Sequence, residues 1–419
     1  MTTYRYNKTL SKRNMWIGET LFLYYRVFFY YLYSGKGIDA YRTSGIDRRI
    51  LIHIYSLVLT IRLFSFRHYR AKSYGEDLRA NLHLRANLRN VIVPFTIIPL
   101  SIFCFNKFIC LFFLIFIYPL WALIGSIYLS IYDTKNSQTI NQYFYEQLLK
   151  PNYWFATWRM NCTIVAYHSY KKWEQTKQQY SMEDKGRFLI QGKKLNIPVT
   201  PILEIPRIMI KHKSIEGGMG INVYDNFAIN DGDWIIQKVF SNSDFIQNLV
   251  TSNAPLSTVR IITSRDSSSS VIKVKTMVFR AGRFQQKTDH NAIFYNIDFN
   301  SSHCLSSGTT NRHWYQSGLK SFDTKSMWQG QNYSIHPDSY QQLEGIKWPN
   351  VNEMIQCVSH AHEILCPDIP IIGWDVAWTN ENNQLMLLEL NISCNFFNGH
   401  FDTKDYTNFC YDWFHTLDI

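Results

Sequence analysis

Hydrophobic and polar positions along the 419 residues fall into three regimes. The first holds long apolar runs rich in aromatics. Residues 15–33 (MWIGETLFLYYRVFFYYLY) are interrupted by Glu19 and Arg26, and residues 50–66 (ILIHIYSLVLTIRLFSF) carry Arg62 near their end. Both predict amphipathic helices. Residues 67–90 follow, with basic positions at 67, 70, 72, 79, 85 and 89 and repeated LRAN and NLR units. That spacing suits either a solvated helix face or a helix lying on anionic lipid.

The second regime is 91–132, two uncharged runs separated only by Lys107. Residues 108–132 exceed the roughly 20 needed for a membrane-spanning helix. The first arm, 91–106, would measure about 24 Å as a helix, short of a hydrocarbon core of roughly 30 Å. Pro94, Pro99 and Pro119 permit kinks. The pattern predicts a shallow hairpin turning near Asn106–Lys107, or a monotopic segment. In the third regime, residues 133–180 read as a helical, aromatic-rich linker. From about 181, strand, turn and helix patterns alternate, as in an α+β or α/β domain.

Charge sharpens this division. Residues 1–90 hold 16 Lys/Arg against 5 Asp/Glu and so carry the whole net charge of +11. A basic excess fits nucleic acid or an anionic membrane surface. Its interleaving with apolar runs, and an aromatic content of 16%, favour membrane lipid as partner over nucleic acid. The 8 cysteines form no CxxC pair, so no zinc spacing appears and reduced, cytosolic thiols are expected. The run at 21–33 contains Arg26 and lacks a small-residue cleavage site, so no cleavable signal peptide is expected. The basic flank before Val91 belongs on the cytoplasmic side.

Candidate chemistry concentrates at 371–393, IIGWDVAWTNENNQLMLLELNIS. GWDVAW and LMLLELN read as two strands joined by the Asn-rich turn TNENNQ. Alternation along a strand puts Glu389 and Asn391 on one face, with Asp375 on the partner strand. Carboxylates in so apolar a setting need compensation, and a hard cation such as Mg²⁺ supplies it.

This stretch resembles the closing metal motif of the ATP-grasp superfamily, an Asp followed some fourteen residues later by Glu-x-Asn. Other blocks follow in the family's order. DKGRFLIQGKKLNIPVTP (184–201) resembles its entry helix and strand, with Lys185 as an ATP-contacting lysine. RIMIKHKSIEGGMGINVY (207–224) resembles its lid, with Lys211 reaching phosphates and Gly217, Gly218 and Gly220 folding over them. DWIIQKVF (233–240) resembles its hinge, where Gln237 and Lys238 would meet adenine. Glycines admit backbone N–H groups to phosphate oxygens, and lysines act as point charges. The stretches LSTVRIITS (256–264), VFRAGRF (278–284), DHNA (289–292) and GWDVAWT (373–379) narrow the likeness to the sugar-transfer-associated branch, over roughly residues 178–419. Met219 and Lys238 depart from the family, which often has a basic and an acidic residue there.

Arg260 and Arg280 fall on adjacent predicted strands. They form structural salt bridges, or hold the γ-phosphate and an acyl phosphate as family arginines do. Asp289, His290 and Asn291 either line the substrate site or cap a loop. His360 and His362 are read as helix-surface residues.

The expected fold class is α+β: an ATP-grasp domain of two α+β subdomains over 181–419, preceded by a basic helical region (1–90), a membrane segment (91–132) and a linker (133–180). The resemblance implies ATP and Mg²⁺ as cofactors and a ligase joining a carboxylate to an amine through an acyl phosphate. Its partners would be a carboxylate-bearing sugar or glycolipid, an amine donor and membrane lipid, in surface polysaccharide or glycoconjugate synthesis. The expected location is the cytoplasmic face of a membrane, the inner membrane if bacterial. A kinase acting on a sugar or lipid-linked hydroxyl, and a non-catalytic nucleotide-binding scaffold, are the alternatives.

Overall fold

The computed structural model describes residues 15–35, 37–38, 41, 45–65, 85, 100–132, 138–150, 182–203, 208–211, 221–224, 235, 237–265, 271–286, 292–310, 332–369, 371–381 and 384–392. Most of the basic 67–90 segment and most of the first apolar arm lie outside these residues.

The N-terminal portion is helical. Helix α1 (Ile17–Ser34) and α2 (Arg48–Arg62) pack with α3 (Lys107–Tyr132) and α4 (Ile140–Leu149). Helix α1 is amphipathic as expected. Helix α2 carries a polar stripe too, yet every residue from Ile50 to Ile61 is buried. Two of its polar members bond within the helix, Ser56 Oγ donating to Ile52 O and Thr60 Oγ1 to Ser56 O, at 2.8 and 3.0 Å, and His53 Nε2 pairs with Tyr118 Oη at 2.9 Å.

Helix α3 starts where the sequence places a turn. A 3₁₀ segment (Leu100–Cys104) ends before it, and Asn106 caps its first turn by accepting from Phe108 N at 2.8 Å. The helix contains a π-turn at Phe113–Ile117, followed by Pro119. There Tyr118 N–H bonds Phe113 O and bypasses Leu114 O. Pro119 has no N–H to offer Ile115 O, four residues back. The two freed carbonyls accept from α1: Tyr24 Oη donates to Leu114 O at 2.8 Å and Tyr25 Oη to Ile115 O at 2.7 Å. An apolar helix interior thus keeps its backbone satisfied through an irregularity.

The C-terminal portion is α+β, as expected. Strands β3 (Thr258–Arg265), β4 (Ile272–Ala281), β5 (Ile293–Ile297), β6 (Leu305–Thr309), β7 (Ile371–Trp378) and β8 (Leu385–Asn391) form an antiparallel sheet ordered β6-β5-β4-β3-β7-β8. Strands β1 (Ile208–Lys211) and β2 (Ile221–Tyr224) form a separate hairpin. Period-two alternation divides the large sheet. Val259, Ile261, Met277, Phe279, Trp374 and Val376 are buried; α6 (Asp244–Leu249) precedes β3 in the chain, and α7 (Val351–Leu365) packs against β3, β4 and β7. Fully burying such side chains contributes about 1.5–3 kcal/mol each. The intervening positions bring Thr258, Arg260, Arg280, Asp375 and Glu389 to the opposite face.

His362 corrects the surface reading: it is buried on the inner side of α7, whereas His360 is exposed. Its Nε2 faces Ile369 O and its Nδ1 faces Thr263 Oγ1, each at 2.8 Å, and Trp374 Nε1 donates to that hydroxyl at 2.8 Å. Burial lowers the imidazole pKa to about 4, so the ring is neutral and fully bonded.

Both sheet edges are covered. Gly308 exchanges backbone bonds with Tyr333 on the β6 side, and Leu387 of β8 bonds Pro198 O and Thr200 N. The 198–200 segment follows α5 (Lys185–Lys194). They approach so closely that a Cβ on Gly192 would stand 2.5 Å from Val199 Cγ1. Gly192→Ala should therefore cost about 1–3 kcal/mol in denaturant unfolding of the full chain, as overpacking does. Adding Val199→Ala should recover part of that loss, and no recovery would mean the contact is not its cause.

Candidate nucleotide and metal site

Register assembles the charged cluster. Arg260 on β3 lies opposite Asp375 on β7, and Asp375 lies opposite Glu389 on β8. Thr258, one alternation earlier on β3, lies opposite Arg280 on β4. Arg260 Nε approaches Asp375 Oδ1 at 2.6 Å and its Nη2 donates to Oδ2 at 3.2 Å. Arg280 Nη2 reaches the same Oδ2 at 3.0 Å, while its Nε donates to Thr258 Oγ1 at 2.7 Å. Two guanidinium groups therefore grip one carboxylate that is 5% exposed.

Glu389 is gripped from another element. Asp184 caps α5 by accepting from Arg187 N at 2.8 Å, which makes Lys185 the first residue of the helix. Lys185 Nζ meets Glu389 Oε2 at 2.7 Å, and Asn391 Nδ2 donates to Glu389 Oε1 at 3.2 Å. Glu183 accepts from Ile392 N at 2.7 Å and ties the end of β8 to the start of α5. Burial pushes the Glu389 carboxyl upward. The bond and charge of Lys185, the Asn391 amide and the Arg260 charge outweigh it and hold the pKa at about 2.

Lys185, Thr258, Arg280, Asp375 and Glu389 line part of a cavity of about 680 Å³, within the range of small-molecule sites. Gln237 and Lys238 line another wall together with Thr200, Val239 and Phe240. The hinge is extended but makes only an isolated bridge, Gln237 to Ile202, rather than a full strand. Gln237 Nε2 donates to Thr200 Oγ1 at 2.7 Å, and Lys238 pairs with Glu381. A third wall comes from 241–242 and 252–256, joined where Asn242 accepts from Ser257 N at 2.7 Å and donates to Pro255 O at 3.1 Å.

Lys185, Gln237, Lys238, Arg280, Asp375 and Glu389 thus share one cavity; Arg260 and Asn391 stand beside it through their contacts to the two carboxylates. Lys211 ends β1, opposite Ile221. Gly217, Gly218 and Gly220, and Asp289, His290 and Asn291, lie outside the described residues. Thr200, Asn242, Glu183 and Glu381 were not singled out from sequence. Isolated polar residues in loops carry no periodic signal, and only their tertiary partners mark them.

The donor set suits Mg²⁺: two carboxylates and an amide, all hard oxygen donors, with room for phosphate oxygens. Among the described residues, no three His, Cys, Asp or Glu side chains converge on a metal position, so protein carboxylates alone make no closed cage. Two acids facing three cations leave net positive charge for a polyphosphate.

The cavity joins two acids, three cations and the Gln237–Lys238 wall. Residues 225–398 match the family model described as sugar-transfer associated ATP-grasp. The motif resemblance is therefore shown over that stretch, which includes Gln237, Lys238, both arginines, Asp375, Glu389 and Asn391 and begins downstream of Lys185, Lys211 and the glycine loop. No curated protein and no solved structure gives a significant match.

A depressed carboxylate pKa stabilises the fold fully above its unfolded value near 4.5 and is lost as pH falls towards 2. Lys185→Met removes the main force holding it down. The variant's stability should consequently fall less steeply than wild type between pH 4.5 and 2 in urea unfolding. Identical slopes would mean that Lys185 does not set the Glu389 carboxyl.

Proposed function

We propose that the protein is a membrane-associated ATP-dependent ligase that joins a carboxylate, borne on a sugar or glycolipid, to an amine. The observation that carries this reading is the cluster of Asp375, Glu389 and Asn391 faced by Arg260, Arg280 and Lys185. It lines part of a cavity whose other wall is the Gln237–Lys238 hinge. The family description supports a sugar-bearing acceptor, the apolar α3 supports a site close to a membrane, and the basic flank before Val91 favours its cytoplasmic face.

Asp375, Glu389 and Asn391 would hold Mg²⁺, which when bound offsets the charge on the phosphate oxygens during transfer. Gln237 offers adenine a hydrogen-bonding edge, and Lys211 with Gly217, Gly218 and Gly220 closes over the phosphates and excludes water. Lys185 exchanges Glu389 for phosphate. Arg260 and Arg280 hold the γ-phosphoryl oxygens, while Asp289, His290 and Asn291 line the acceptor side. A substrate carboxylate oxygen attacks the γ-phosphorus; the bond to the β-phosphate oxygen breaks, and ADP leaves with its electron pair. The amine nitrogen then attacks the acyl carbon and loses a proton, and inorganic phosphate departs.

The test is product analysis with ATP, Mg²⁺ and a uronic-acid-containing glycan plus an amine. Formation of ADP, free phosphate and an amide is expected. A stable phosphoester in place of free phosphate would make the enzyme a kinase, and nucleotide binding without any product would make it a scaffold. Glu389→Gln should lower turnover by about 100-fold or more while the chain stays folded. Undiminished turnover in that variant would remove Glu389 from the metal site.

A further inference from the structure

The membrane reading leaves open whether α3 crosses a bilayer or lies along it, and the packing of α3 against its neighbours bears on that choice. Its 26 residues measure about 39 Å. One stripe stays exposed along the whole length, through Phe108, Phe112, Phe116, Leu120, Ile124 and Ile131, at near-helical spacing. Phe108 at one end is 77% exposed and Ile131 at the other 63%. The opposite face, including Cys110, Leu114, Tyr118, Ala122 and Leu129, is buried.

The neighbours on that buried face are charged at mid-length. Helix α4 runs back along α3: Tyr143 clusters with Leu129, and Tyr118 Oη donates towards the Gln147 and Leu148 carbonyls at 3.1 and 3.3 Å. The ten residues of α4 cover only about 15 Å, so the chain returns roughly half-way. Where it stops, Lys150 pairs with Asp47, and Arg49 donates to Lys150 O at 3.0 Å. Glu146, exposed on α4, lies one turn before this cluster. Tyr118, level with these groups, is near the middle of α3. A hydrocarbon core of roughly 30 Å placed anywhere along α3 would enclose Glu146 or the Asp47–Arg49–Lys150 cluster. Charge at that depth is strongly unfavourable.

Laid flat, α3 meets none of these objections. The apolar stripe faces acyl chains, and the ionic cluster on the other side stays in water. The sequence charge of residues 1–90, +11, favours attraction to anionic headgroups, and Arg85 lies 4.7 Å over the Phe105 ring just before the stripe. We propose that this helical unit binds an anionic phospholipid surface with α3 in the membrane plane, its stripe immersed at one depth, rather than across the bilayer. The inference rests on the membrane association proposed above and not on the chemistry at the nucleotide site.

The test attaches a thiol-reactive fluorophore to the full chain carrying Phe108→Cys, Phe116→Cys, Ile124→Cys or Ile131→Cys, with the labelled wild type as blank. Vesicles contain phosphatidylserine and phosphatidylcholine brominated either near the headgroup or near the acyl terminus. All four positions should be quenched, each more by shallow than by deep bromine. Deep bromine dominating at Phe116→Cys and Ile124→Cys, with shallow bromine dominating at the two ends, would establish a crossing helix and overturn the in-plane placement alone. Absence of quenching at all four positions would overturn both it and the membrane reading. Removing phosphatidylserine should weaken vesicle binding by about tenfold or more at low salt, and unchanged binding would overturn the anionic preference.

Discussion

Two carboxylates stand opposite one another on the last two strands of an antiparallel sheet, Asp375 on β7 and Glu389 on the edge strand β8. Like charges in that position repel, and Asp375 is almost wholly removed from water. The domain resolves this by converging cations from separate elements: Arg260 from β3, Arg280 from β4 and Lys185 from the start of α5. Strand order, register and helix placement all serve that convergence. A one-residue slip between β3 and β7 would turn Arg260 into the apolar face and leave Asp375 short of a partner.

The same constraint explains the crowding around α5. The Glu183–Ile392 bond and the 198–200 segment both hold the helix against the β8 edge, where Lys185 reaches Glu389, and the close approach at Gly192 is part of that seating. A cluster built this way is compensated by the chain's own groups, and the proposed mechanism requires those partners to exchange. Guanidinium and ammonium groups that neutralise carboxylates can turn to phosphate oxygens once a metal takes their place. Positioning and electrostatics, rather than a protein nucleophile, are what this arrangement offers.

The helical portion obeys another rule, the need to satisfy backbone groups in an apolar setting. A π-turn followed by Pro119 would leave Leu114 and Ile115 carbonyls without donors, and two consecutive tyrosines of α1 supply them. The unusual tyrosine content of the N-terminal region therefore has a structural use besides any at a membrane interface. The polar stripe of α2 does not mean exposure, for neighbours bury it from Ile50 to Ile61. The sequence reading took His362 as a surface residue, because an HAH pair on a helix does not say which histidine turns inward. Packing of α7 on β3 and β7 settles that, with Thr263 and Trp374 completing the bonds.

The sequence by itself determined the local order of this protein: the period-two alternation that puts Arg260 and Asp375 on one face and Ile261 and Trp374 on the other, the hairpin carrying Glu389 and Asn391, and the helix start at Asn106. These follow from side-chain direction and capping, which act over a few residues. Only the tertiary structure decided which distant groups meet. Nothing local links Lys185 to Glu389, two arginines to one aspartate, or Tyr24 and Tyr25 to carbonyls 90 residues away. Such pairings arise from strand register and helix docking, which bring together residues that no short-range pattern connects.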